Sequence, residues 1–250
     1  MIKSLFFIVL ISFFGIACSN SSQTENSSGI DLTDLPAAFA KFTNVTDLYL
    51  DGNMIVIKTK DLPNHVSPYY QNTQWAAEYY QSYNGNNQNF ILNPNRISEQ
   101  NLTFRIPLNP AVASNHSPTP LGPIGVSVNG VAIYNQYAAP GDDLAQEINT
   151  FDQKNGHPQQ QGQYHYHIEP YYLSETNGKD ALVGFLLDGF PVYGPMENGN
   201  PVSNNDLDVY HGHSHATADY PDAIYHYHIT DAAPYINGDG FYGTAGTVSN

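Results

Sequence analysis

The side chains best suited to chemistry in this sequence are histidines that occur in two closely similar settings. The tetrapeptide Tyr-His-Tyr-His stands at 164–167 and again at 225–228. Residues two apart on an extended strand share a face, so each copy presents two imidazoles on one side of its strand. Such a pair suits a borderline metal ion such as Cu or Zn. One pair alone is also typical of a polar sheet face, and it is the repetition that favours metal binding.

Each pair follows a Gly-His dipeptide that could supply a third imidazole. The dipeptides stand at 156–157 and 212–213. The sequence therefore predicts two sets of metal ligands: His157, His165 and His167 in the first copy, and His213, His226 and His228 in the second. Whether these sets form two sites or one shared binuclear copper centre depends on how the copies pack, and the sequence leaves both arrangements open.

Two aspartates occupy the same offset ahead of the two Gly-His dipeptides. Asp152 and Asp208 are interpreted as metal ligands, as acceptors that hold a ligating imidazole in one tautomer, or as cap or turn residues. His211 and His215 flank His213 and have no counterpart in the first copy. For these two histidines the sequence predicts a solvated loop, with at most adventitious metal binding.

The strands that would carry the histidines belong to a longer internal repeat. Residues 125–134 match residues 184–193 position by position, and both contain an Asn-Gly or Asp-Gly dipeptide between apolar runs. That dipeptide indicates a β-hairpin with a type I′ turn, so its residues are assigned a structural role. Because the elements recur in the same order, we expect a duplicated unit at about 122–172 and 181–236, related by a pseudo-two-fold axis.

These patterns predict a mainly β fold. Hairpin signals dominate, and parallel crossovers would need helices that are missing, so antiparallel sheets are expected, arranged as a sandwich or a barrel. Few and short helices are predicted, at 73–83 and 141–151. A single domain is expected over residues 41–250.

Composition restricts the partners of that domain. Lys and Arg number 8 against 23 Asp and Glu, for a formal net charge of -15. This balance excludes nucleic acid, whose binding needs clustered basic residues, and it favours cations. Hydrophobic residues make up 41% of the chain, which is enough for a sizeable core. Protein partners are not indicated by the sequence.

The N-terminus reads as an export signal. A basic start and an apolar run within residues 1–17 precede Cys18, the only cysteine. We expect Cys18 to be lipidated, as in a bacterial lipoprotein, with plain secretion as the alternative, and 18–40 to be a polar tether. The protein would then be anchored to a membrane in the cell envelope, facing the periplasm or the cell surface. No thiolate would remain as a soft ligand, which favours Cu(II) or Zn over Cu(I).

The ordered elements resemble the YHYH-domain family, a group of exported and largely uncharacterised proteins named for the tetrapeptide. The resemblance covers about 65–246, and its elements are Leu-Pro-Asn-His at 62–65, Gly-Pro-Ile-Gly at 122–125, both Tyr-His-Tyr-His copies, the run 188–195 and Pro-Tyr at 234–235. It implies an exported domain with a histidine site, and it adds His65 as a seventh candidate ligand.

Three functions remain open on this basis. The leading one is an exported protein that binds Cu or Zn. The second is a metal-dependent enzyme at the same histidines, hydrolytic or copper redox, for which Asp152 and Asp208 are the candidate bases. The third is a glycan-binding or adhesion module with structural histidines. An open coordination position facing a cleft would favour catalysis, and a closed set of four ligands would favour storage or structure.

Overall fold

The computed structural model describes residues 29–250. The predicted signal peptide, Cys18 and the first part of the predicted tether lie outside the described residues. None of the helices formed by residues 29–250 has the length and apolar character needed to span a bilayer.

The described chain is mainly β, as predicted, with few and short helices. Its strands are β1 (Asp47–Asp51), β2 (Met54–Thr59), β3 (Leu102–Pro107), β4 (Pro123–Ser127), β5 (Ala132–Tyr134), β6 (Tyr137–Ala138), β7 (Asp142–Asp143), β8 (Gly156–Pro158), β9 (Tyr164–Tyr166), β10 (Leu182–Leu186), β11 (Pro191–Tyr193), β12 (Met196–Glu197), β13 (Asn200–Pro201), β14 (Gly212–His215), β15 (Ile224–His228) and β16 (Thr247–Ser249). Its helices are α1 (Ala76–Tyr79) and α2 (Tyr171–Asn177), with 3-10 turns η1 (Ala37–Lys41), η2 (Pro68–Tyr70), η3 (Glu147–Thr150) and η4 (Asn204–Asp206).

The helices differ in detail from the prediction. Of the helix expected at 73–83 only α1 forms, because the chain on either side of Tyr80 bonds to Ser67: the Ser67 N–H donates to the Tyr79 carbonyl and the Gln81 N–H donates to the Ser67 carbonyl. The segment 141–151 pairs as a strand at its start and turns helical only in η3. Helix α2 was not predicted.

An eight-stranded sheet carries the histidines. Its order is β14-β15-β11-β10-β4-β5-β9-β8. From either edge the kinds of strand follow in the same order: an edge strand, a Tyr-His-Tyr-His strand and the two strands of a repeat hairpin. From the central antiparallel pair β4–β10, each half continues through a hairpin, a parallel neighbour and an antiparallel edge strand. This order is what the proposed duplication requires, and a common origin of the halves stays a prediction.

Two strand pairs in this sheet are parallel, within the mainly antiparallel fold that the sequence predicts. They are β5 with β9 and β11 with β15. The crossovers do not use long helices. Each crossover contains a small hairpin with two residues in each strand, β6–β7 or β12–β13, followed by a 3-10 turn and the edge strand. As a result, β9 lies between the edge strand β8 and the repeat-hairpin strand β5, and β15 lies between β14 and β11.

The two repeat hairpins form as predicted, with a different turn. A type I′ turn needs positive φ at both central residues. Here Gly130 (φ +77°) and Gly189 (φ +84°) adopt it, whereas Asn129 and Asp188 are not among the residues with positive φ. The Gly130 N–H donates to the Ser127 carbonyl (2.8 Å), so the loop is the three-residue kind that ends in a left-handed glycine.

The core lies between this sheet and a four-stranded sheet of order β1-β2-β3-β16. Ile57 and Phe104 of the smaller sheet and Val126 and Phe185 of the larger one belong to one buried cluster, which makes the fold sandwich-like. Phe39 in η1 is 2% exposed and stacks on Phe185 with ring centroids 4.3 Å apart. The folded domain therefore begins before the predicted boundary at residue 41.

Candidate metal centres

The first predicted histidine set comes together. His157 on β8 and His165 on β9 are cross-strand partners, and His167 follows β9 directly. Their Nε2 atoms lie 3.1 Å apart (His157 to His165) and 2.9 Å apart (His165 to His167). Nitrogens bound to one tetrahedral ion at about 2.0–2.1 Å are roughly 3.3 Å apart, which is close to this spacing. We call these three histidines the inner centre, since each is only 2% exposed.

Hydrogen bonds fix the tautomer of two of these rings. The Nδ1–H of His165 donates to the Gln163 carbonyl (3.1 Å), and that of His167 donates to the Asn135 carbonyl (2.6 Å). A carbonyl oxygen only accepts, so the ring nitrogen facing it must carry the proton. In a neutral ring Nε2 then holds a lone pair.

The third ring, that of His157, is held in the same tautomer by a hydroxyl group. His157 Nδ1 lies 2.7 Å from Thr150 Oγ1, and that hydroxyl donates its own proton to the Glu147 carbonyl (2.8 Å). The oxygen is therefore left to accept from His157. Three lone pairs consequently point at one another in the inner centre, and a cation between them would relieve the repulsion.

Protonation does not supply that cation at neutral pH. Burial lowers the pKa of His167 to about 4 and holds the pKa values of His157 and His165 well below the ordinary value. A metal ion bound by neutral imidazoles fits the three donors, and the carbonyl partners on Nδ1 are the usual second contacts of metal-binding histidines.

Glu147 is a possible fourth ligand of the inner centre that sequence reasoning missed. Its Oε1 lies 3.5 Å from His157 Nε2, and η3 carries it towards the cluster. Its Oε2 is buried without a hydrogen-bond partner among the described residues, and burial raises the pKa of this carboxyl group.

The second predicted set also comes together, with an added carboxylate. His213 on β14 is the cross-strand partner of His226 on β15, and His228 lies two residues further along β15. Glu197 on β12 places Oε1 at 3.6–3.8 Å from all three Nε2 atoms. We call these four residues the outer centre. In each centre, the ligand atoms all lie within 4.8 Å of one another.

Backbone carbonyls orient the outer imidazoles as they orient the inner ones. The Nδ1–H of His226 donates to the Ile224 carbonyl (3.0 Å), and that of His228 donates to the Gly194 carbonyl (2.8 Å). Both Nε2 atoms are buried and lack a hydrogen-bond partner among residues 29–250. Burial lowers the pKa of each of these rings to about 4, so they too are neutral lone-pair donors at neutral pH.

The prediction of a solvated loop is wrong for His215. It ends strand β14, and its Nε2 lies 2.7 Å from Glu197 Oε1 and 3.0 Å from His213 Nε2. The prediction of a solvated loop is wrong for His211 as well: it is 2% exposed, lies outside the outer centre, and its Nε2 lies 3.0 Å from Thr230 Oγ1.

The centres are separate sites. The histidine strands β9 and β15 are five strand intervals apart in the sheet order, which at about 4.8 Å per interval is roughly 24 Å. The binuclear arrangement left open by the sequence is therefore wrong.

The aspartates do not hold the imidazoles, which corrects that interpretation. Asp152 accepts from the hydroxyls of Ser67 (2.5 Å) and Tyr164 (2.9 Å), and Asp208 accepts from the Tyr225 hydroxyl (2.9 Å). Each also accepts from backbone N–H groups of its own turn. Their role is the alternative one: they tie the turn before the edge strand to the tyrosines on the opposite face from the histidines.

These tyrosines also explain the glycine of each Gly-His dipeptide. A Cβ atom on Gly156 would overlap the phenol of Tyr164, and one on Gly212 would overlap the phenol of Tyr225. The edge strand can pair closely with the histidine strand only if this position has no side chain.

His65 belongs to neither centre, so the seventh candidate ligand is not brought to the others. Its Nε2 lies 3.0 Å from the Tyr166 hydroxyl, and the ring packs between Tyr164 and Tyr172. It is 5% exposed, and burial lowers its pKa to about 4.

This shift predicts an acid-sensitive contribution to stability. The folded pKa of His65 is about 4 and the unfolded value is near 6.5, so its contribution is complete above pH 6.5 and is lost as the pH falls towards 4. A His65→Gln variant does not titrate there. In urea unfolding with chelator present, the wild type should lose up to about 3 kcal/mol more than the variant between pH 7 and pH 4. Equal losses in the two proteins would contradict this role.

The outer centre opens to solvent through two clefts. Glu197 and His215 line both of them, and their volumes are about 450 and 420 Å³. The side chain of His215 is 37% exposed and that of His213 is 24% exposed. The two centres thus share their ligand geometry and differ in access.

Comparison with known proteins gives one result. A family model described as YHYH protein matches residues 103–204 and 197–239, a span of more than half of the chain. No curated protein and no solved structure matches the chain. The matched span contains both histidine centres and both repeat hairpins. The chain is a member of the YHYH protein family.

Proposed function

We propose that this protein is an exported, lipid-anchored metal-binding protein that holds one transition-metal ion, Cu or Zn, at each of its two histidine centres. One observation carries the proposal. In both centres the imidazole Nε2 atoms converge while the Nδ1 protons are taken by fixed oxygen acceptors, for example at His165, His167, His226 and His228. Neutral rings held in this way have only lone pairs to offer one another, and a metal ion is the partner that satisfies them.

The donor set supports Cu(II) or Zn as the ion. Imidazole nitrogen and carboxylate oxygen are the available ligands, and the only cysteine of the chain is Cys18 in the N-terminal segment. Without thiolate, a soft ion such as Cu(I) has little advantage. Four donors within 4.8 Å of one another at the outer centre suit a tetrahedral ion.

The location in the cell envelope is supported by the N-terminal sequence. A short apolar run ending at Cys18 is typical of lipoprotein export, and the net charge of -15 raises the concentration of cations near the domain. The proposed anchor would hold the metal centres outside the cytoplasm.

Binding is favoured over catalysis by the ligand count. The inner imidazoles are 2% exposed, and the outer centre has four protein donors, which completes a tetrahedral set. A hydrolytic or redox enzyme at the outer centre is the second candidate function, favoured by the cleft of about 450 Å³ that His228 and Glu197 line. Turnover of ester or phosphoester probes by the zinc-loaded chain would support it.

The experiment is a measurement of metal content by mass spectrometry on the chain purified without chelator. Wild type is compared with two double variants, His165→Ala/His167→Ala and His226→Ala/His228→Ala. His116→Ala is the control, since this exposed histidine bonds to the Phe241 carbonyl away from both centres.

We expect about two ions in wild type and control and about one in each double variant, one for each centre lost. Dividing the roughly 10–16 kcal/mol of a structural zinc site among four ligands gives about 3 kcal/mol per ligand, or roughly a hundredfold in affinity. Wild type that stays metal-free after reconstitution with Zn or Cu(II) would return the histidines to a structural role and leave glycan binding as the function to test.

A further inference from the structure

The two centres differ in the way their ligands meet solvent. The three inner imidazoles are buried. At the outer centre the exposure of the side chains increases towards solvent: His226 and His228 are 0% and 2% exposed, His213 is 24% exposed, and the neighbouring His215 is 37% exposed. An ion approaching from solvent meets His215 first and the buried pair last.

A fifth donor, His215, lies beside the outer centre, which is one donor more than a tetrahedral ion needs. Glu197, His213, His226 and His228 form a complete set of four. His215 stands beside this set, within 2.7 Å of Glu197 Oε1 and 3.0 Å of His213 Nε2. Its Nδ1–H donates to the Ala216 carbonyl (2.9 Å), so Nε2 is the ring nitrogen that faces Glu197 and His213. A surplus donor lets one ligand attach before another detaches.

The inner centre lacks such a donor at the matching position. His215 stands two residues after His213, and the residue two after His157 is Gln159, which bonds to Gln161. The two centres can therefore be compared within one molecule, since one has the additional imidazole beside it and the other does not.

Charges at the mouth of the outer centre favour cation entry. Asp180 and Asp219 line the same cleft as His215, and Asp206 lines the neighbouring one. Lys41 faces this cleft and is paired with Asp219 at 2.6 Å. The unpaired excess of carboxylates raises the local concentration of divalent cations.

We propose that the outer centre is an exchange site, in which His215 is the ligand through which a metal ion enters and leaves, and that the inner centre keeps its ion. This inference rests on the proposed function. On entry, His215 and Glu197 replace water ligands of the hydrated ion. His213, His226 and His228 then displace the remaining water and His215, with no change of oxidation state, which leaves the four ligands of the outer centre on the ion. Departure follows the same steps in reverse, to a partner or chelator that can reach the exposed ligand.

The test is the kinetics of zinc release to a coloured chelator, followed by stopped flow with the zinc-loaded whole chain. We expect two phases of equal amplitude, with the fast one absent from His226→Ala/His228→Ala. His215→Gln copies the inner centre, and it should slow both loading and release of the outer ion by about tenfold or more. Since both rates fall together, the equilibrium affinity should change little. His116→Gln is the matched control.

A second variant tests the inference at the inner centre. Gln159→His supplies the inner centre with an additional imidazole and should accelerate release of the inner ion. A single release phase in wild type, unchanged rates in His215→Gln, or complete loss of the outer ion in that variant would each overturn the inference while leaving metal binding intact. Wild type with no bound zinc would instead overturn the proposed function and this inference with it.

Discussion

Zinc or Cu(II) added to the metal-stripped protein is expected to raise its thermal unfolding temperature by about 16–32 °C. At an ion concentration a thousandfold above Kd, each centre adds about 4 kcal/mol to the free energy of unfolding, and the two centres together add about 8 kcal/mol. A domain of this size gains roughly 2–4 °C per kcal/mol. The stabilisation arises because each ligand set joins separate strands, which come together only in the folded chain.

Differential scanning calorimetry with and without metal measures this shift. Each double variant, His165→Ala/His167→Ala or His226→Ala/His228→Ala, should retain about half of it, and His116→Ala should retain all of it. An equal unfolding temperature with and without metal in wild type would contradict the prediction, whereas a shift that survives in both double variants would assign the metal to other ligands.

Asp188→Ala is expected to be the most damaging single substitution outside the two histidine centres, with a loss of about 3–5 kcal/mol of unfolding free energy. Asp188 is fully buried, and its Oδ2 accepts from the Tyr227 hydroxyl (2.5 Å) and from the Gly243 N–H (2.9 Å). The same hydroxyl accepts from the Tyr242 N–H (2.8 Å). Removal of the carboxylate leaves the Tyr227 hydroxyl and the Gly243 N–H without this acceptor, which loosens the C-terminal segment against the histidine strand.

The chain offers a matched control for this change. In the other half Asn129 occupies the corresponding turn position, and its side-chain amide donates to the Tyr166 hydroxyl (3.3 Å). Asp188→Asn keeps an acceptor for Tyr227 and should cost about 1 kcal/mol. Urea unfolding measures both variants, and metal content should stay unchanged in Asp188→Asn. Equal losses in Asp188→Asn and Asp188→Ala would show that the hydrogen bonds are not what matters at this position.

The six clustered histidines could be predicted because two independent regularities select them. Alternation along a strand places residues two apart on one face, and the repeat selects the same positions twice. The carboxylates could not be found in this way. Glu197 corresponds to Ala138 in the first copy, and Glu147 reaches its centre from a 3-10 turn whose position depends on the fold of the crossover. A residue present in only one copy gives no repeated signal.

The partners of the imidazoles were also beyond sequence reasoning. Backbone carbonyls of Gln163 and Asn135, not aspartates, hold His165 and His167, and every residue has such a carbonyl. The parallel pairs were missed because parallel connections usually contain helices, and here short hairpins and an edge strand take their place. The hairpins themselves were predicted correctly, since the Gly-containing turns act locally.

The order of the eight-stranded sheet has a consequence for solubility. Its two outermost strands are β8 and β14, and an open outer strand is a template on which another chain can add a strand. Each of these strands carries a histidine whose cross-strand partner is a histidine of the next strand, His157 with His165 and His213 with His226. A metal ion bound by both partners, as proposed, would fasten each outermost strand to the strand beside it. Removal of metal would loosen both borders at once, so the metal-free protein should be the form that aggregates.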